Sequence, residues 1–78
     1  MEYKMIIDTL DKDNKIMKSE IVENKDIIIQ ELAYTLKESR EYSVVYSKNG
    51  LYDIVSYNYI DTKDGRATVR RHFELDLL

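Results

Sequence analysis

His72 is the only histidine in this chain of 78 residues. Strand alternation puts Glu74 on the same face, and the favoured strand register sets Ser56 opposite His72. Ser, His and Glu together have the composition of a nucleophile, a general base and an orienting acid. A flat strand surface supplies no oxyanion donors and excludes no water, so no catalytic residue is assigned and the chain reads as a non-enzyme.

Other candidate groups read as structural. Asp11, Asp13 and Glu20 lack the turn Gly and the terminal bidentate Glu of a calcium loop. Asp61 and Asp64 flank a turn. There is no Cys, no recognisable metal-ligand spacing and no phosphate-binding loop, so neither metal nor cofactor is expected. Arg70, Arg71 and His72 alternate in direction along a strand, with Arg70 and His72 pointing one way and Arg71 the other.

Seven tyrosines are the compositional peculiarity. One reading makes Tyr42, Tyr46, Tyr57 and Tyr59 the rim of a shallow core, rings buried and hydroxyls wet. The other puts some of them on a contact surface. In the reversed register, Tyr57 and Tyr59 stand exposed beside Arg70 and His72, as in a base-stacking platform.

Length and composition bound the elements that must position these groups. A chain this short is one domain, residues 1–78, that buries only about 60% of its unfolded surface, enough for one thin core. Charged residues are 35% and hydrophobic residues 44%, within the globular range. No apolar run approaches a membrane span and no signal peptide opens the chain, so a cytoplasmic protein is expected. Net charge is −3, with 7 basic and 10 acidic residues in 1–41, which argues against generic nucleic-acid binding. Ile, Lys, Asn, Tyr, Phe and Met make up 32 of the 78 residues; such AT-rich-codon usage points to a low-GC bacterium, its phages or other mobile elements.

Residues 2–10 and 15–22 read as a hairpin around Asp11-Lys12-Asp13-Asn14, with Asn14 left-handed, Met5 facing Ile21 and Asp8 paired with Lys18. Asn24 caps a helix over 25–40, with Asp26 in its first turn and Ile28, Ile29, Leu32, Ala33 and Leu36 as its apolar stripe. Strands 42–47, 51–60 and 66–77 follow, joined by Lys48-Asn49-Gly50 and Lys63-Asp64-Gly65. The expected fold is α+β: one helix on an antiparallel sheet, two layers, order β-β-α-β-β-β.

The outer strands of this meander have opposite parity, so one turn holds two residues and the other three. Asn49-Gly50 suits the two-residue form and Lys63-Asp64-Gly65 the three-residue form. The core face then holds Tyr42, Val44, Tyr46, Leu51, Val55, Tyr57, Tyr59, Val69, Phe73 and Leu75. The reverse assignment swaps only the middle strand.

On the favoured register the face away from the helix carries Val45, Tyr52 and Ile54, rimmed by Arg70 and His72. An apolar centre with a polar rim is the anatomy of a protein interface. The expected function is therefore a small non-enzymatic protein-binding module, a regulator, adaptor or inhibitor covering a partner's surface, the partner being another protein or a second copy. The alternative is a single-stranded RNA or DNA binder using sheet tyrosines with Arg70 and His72.

Overall fold

The computed structural model describes residues 2–37, 41–46 and 50–76. Its elements are β1 (Glu2–Leu10), β2 (Ile16–Val22), α1 (Lys25–Lys37), β3 (Glu41–Tyr46), β4 (Leu51–Thr62) and β5 (Gly65–Asp76). All strand pairs are antiparallel, in one sheet of order β2-β1-β5-β4-β3. One helix on an antiparallel sheet is the expected α+β fold. The N-terminal hairpin joins the meander through β1 and β5.

The first hairpin turns where its residues demand. Asn14 takes φ 63°, which Asn tolerates better than most residues. The Asp11 carboxylate accepts hydrogen bonds from the backbone N–H of Asp13 (2.8 Å) and Lys15 (2.9 Å). Those bonds, led by the one from Lys15, hold the Asp11 carboxyl below the usual aspartate range. The strands are one residue out of the expected register. Leu10 lies opposite Ile16 but Thr9 lies opposite Lys18, so Met17 is an extra residue in β2. Met5 therefore faces Val22, not Ile21, and Asp8 faces Ser19, not Lys18.

Helix α1 begins as its sequence specifies. The Asn24 side chain accepts the N–H groups of Asp26 (3.0 Å) and Ile27 (3.2 Å), and its carbonyl accepts that of Ile28 (3.0 Å). The helix packs chiefly on β1. Its buried positions are Ile28 and Thr35, with Leu32 packed against the core; Ile29, Ala33 and Leu36 of the expected stripe are exposed. The reason lies in the sheet. Arg71 points toward the helix, where its Nε lies 3.3 Å from the Glu31 carboxylate and its Nη1 bonds Asn58. Glu31 turns inward to meet it. Thr35 follows on the same side and satisfies its hydroxyl by donating to the Glu31 carbonyl (2.8 Å).

The core consists of Met5, Ile28, Ile54, Phe73 and Leu75, with Tyr3, Ile7, Val22, Leu32 and Tyr52 packed against it. This overturns the expected register of the middle strand. Ile54 lies opposite both Phe73 and Val44, where Val55 was expected opposite both. The two-residue turn is the second, not the first as assigned from sequence. Tyr46 pairs with Tyr52, which encloses five residues, and Gly50 has φ 77°. Lys48 and Asn49 lie outside the described residues. At the second turn only Lys63 and Asp64 separate the paired residues Thr62 and Gly65. The Thr62 hydroxyl accepts the Asp64 N–H (3.3 Å) and donates to the Gly65 carbonyl (2.6 Å), and Gly65 adopts φ 110°. Because side chains alternate with period two, this change turns all of β4 over.

Candidate contact surface on the open sheet face

With β4 turned over, the face away from the helix carries alternate residues of each strand, and the register sorts them into rungs. One rung is Ile21, Ile6, His72 and Val55; the next is Ser19, Asp8, Arg70 and Tyr57; Thr68 and Tyr59 follow beside Leu10. Tyr57 and Tyr59 are 36% and 52% exposed, the reverse of the core placement expected for them. Ile21 is exposed on edge strand β2, and Ile6 and Val55 are half-buried.

The charges on this face are largely paired. Asp8 is buried; it accepts the Ser19 hydroxyl at 2.6 Å and the Arg70 guanidinium at 2.9 Å. The Ser19 bond first, then Arg70, hold its carboxyl below the usual aspartate range, against the opposing effect of burial. His72 Nε2 lies 2.9 Å from the Asp53 carboxylate. Arg66 stacks over Tyr59 with its guanidinium carbon 4.1 Å from the ring centre.

The five residues expected to form one contact site are divided between the two faces. Arg70 and His72 stand on the open face. Tyr52 and Ile54 face the helix, Ile54 within the core and Tyr52 against it, so neither can centre an exposed site. Val45 pairs with Asp53 through the backbone; its side chain lies outside those described. Ser56 lies opposite Arg71, fully buried on the helix face. It is thus on the side of the sheet opposite His72 and Glu74, and the Ser-His-Glu set does not assemble.

Sequence reasoning missed Asp53. Its carboxylate meets His72 and Glu74, with donor atoms from the three residues all within 4.8 Å of one another. The usable signal is strand alternation: His72 and Glu74 two apart on one strand, with an acid on the neighbouring strand at their level. It also missed Arg66 and Tyr59 as a stacked pair.

Comparison with known protein families, characterised proteins and solved structures finds no match. Among the described residues, no helix is long and apolar enough to cross a membrane.

Proposed function

We propose that this chain is a non-enzymatic protein-binding module that covers a partner with its open sheet face, as a regulator, adaptor or inhibitor acting in the cytoplasm. The carrying observation is the exposed pair Tyr57 and Tyr59, on a sheet face that no described element covers, beside arginines already engaged with Asp8 and with a ring. Tyr and Arg are enriched at protein interfaces and at their hot spots, because they bury a large area at low entropic cost. Ile6, Ile21 and Val55 add apolar side chains on β1, β2 and β4. A charge pair already formed within the chain needs no counterion from the partner, which suits a protein surface better than a phosphate backbone.

The aromatic and cationic pattern also favours a second reading, a single-stranded nucleic-acid binder. It is the weaker one on charge. By strand alternation the same face carries Glu2, Asp8, Asp53, Asp61, Glu74 and Asp76 against Lys4, Arg66 and Arg70. A face with more carboxylates than cations repels phosphates.

Capture from the native host by wild type and by the Tyr57→Ala/Tyr59→Ala double variant, with and without nuclease, tests the proposal. A protein retained by wild type, lost by the double variant and unaffected by nuclease is expected. Retention that needs nucleic acid would replace the first reading with the second.

A further inference from the structure

We propose that Asp53, His72 and Glu74 form a binding site for a divalent transition-metal ion of the zinc class. This inference is independent of the protein-binding proposal.

The strand register builds the site. Asp53 and Glu74 lie directly opposite each other on β4 and β5, and His72 stands one rung away on the same face. Their donor atoms lie within 4.8 Å of one another, and His72 Nε2 is 2.9 Å from the Asp53 carboxylate. An ion with ligands at about 2.0–2.2 Å draws its donors closer than the present spread. The side chains have room for that adjustment: those of His72 and Asp53 are 33% and 50% exposed.

The electrostatics favour a cation. Two carboxylates directly opposed across an antiparallel pair destabilise the sheet unless positive charge lies between them. The next rung repeats the problem, with Glu2 opposite Asp76 on β1 and β5. Both rungs border a crevice of about 730 Å³ whose lining holds five carboxylates and two lysines. One of these lysines, Lys4, lies opposite Glu74 on β1, and its positive charge competes with a bound cation.

The donor types choose the metal. Calcium and magnesium take oxygen ligands in larger numbers. One imidazole and two carboxylates suit zinc and neighbouring ions, with remaining positions left to water on the open side.

The test is calorimetric titration of the chelator-treated, untagged full chain with Zn²⁺, and separately with Mg²⁺. One Zn²⁺ per chain is expected, bound at least tenfold more tightly than Mg²⁺, with the His72 imidazole resonances shifting on saturation. His72→Ala and Asp53→Asn should each weaken Zn²⁺ binding at least tenfold, with the metal-free fold checked by circular dichroism. Asp61→Asn, at the far end of the same face, should leave it unchanged. Lys4→Ala should tighten it. The proposal is overturned if Zn²⁺ binding is not saturable, or if a folded His72→Ala or Asp53→Asn variant binds as wild type does, which would mean an adventitious ion only.

Discussion

Ile54 lies directly opposite Phe73, both buried beneath α1, and this pair fixes which side of β4 is core. Phe73 has no exposed surface, and its ring is surrounded by the main hydrophobic cluster. Phe73→Ala should cost about 3–5 kcal/mol, and Ile54→Ala about 2–5 kcal/mol, read from denaturant unfolding. Losses of that size are comparable to the whole stability of a small domain.

The turned-over β4 separates two pairs of substitutions. Tyr57→Ala should change stability by no more than about 0.5 kcal/mol, as surface changes do, and Tyr59→Ala by no more than about 1 kcal/mol, since it also removes the stack with Arg66. Tyr52→Ala should lower the melting temperature clearly, since its ring packs on the core. Equal losses at Tyr52 and Tyr57 would contradict the register.

Asp8 links three strands through Ser19 and Arg70. Asp8→Asn should cost about 1.5–3 kcal/mol, the range for hydrogen bonds to a charged group. The pH dependence has a definite sign. The folded-state pKa of Asp8 is lowered, so the stabilisation is fully present above the unfolded value, near pH 4, and is lost as pH falls through the lower folded value. Melting curves should show wild type losing stability over that acid interval and Asp8→Asn losing less.

Ser56 is fully buried beside Arg71, and its hydroxyl has no hydrogen-bond partner among the described residues. Ser56→Ala removes no bond and relieves a desolvated hydroxyl, so stability should stay level or rise, by thermal melt. A marked loss would show that the hydroxyl is bonded.

On the open face, charge predicts the response to nucleic acid. Mixed single-stranded oligonucleotides should show no appreciable binding at physiological salt, by fluorescence anisotropy. Salt-sensitive binding lost in Arg70→Ala or Arg66→Ala would favour the stacking platform.

The element order was legible because local signals agreed: Asn24 as cap, Asn14 at the left-handed turn, and glycines after Asn49 and Asp64. Strand parity was not. Either glycine turn fits two loop lengths, and the choice rests on the Thr62 hydroxyl closing the second turn, a detail that a turn dipeptide does not encode. The helix rotation was hidden for a related reason. Arg71 points inward, as strand alternation requires, and it is its ion pair with Glu31 that the helix periodicity does not encode. The bulge at Met17 left no composition signal. Within the site, Arg70 and His72 were placed correctly on the open face because β5 alternates cleanly. Tyr52 and Ile54 were misplaced because β4 is apolar on both sides, and Asp53 was missed because its partners lie on another strand.

Site-specific photo-crosslinking tests the protein-binding proposal most directly. A benzophenone amino acid would replace Tyr57 or Tyr59 on the open face, or Tyr34 on the exposed side of α1, and be irradiated in the native host. The expected result is a discrete, nuclease-resistant protein adduct from positions 57 and 59 and none from position 34. An adduct from position 34 alone, or one from the sheet that nuclease removes, would contradict it.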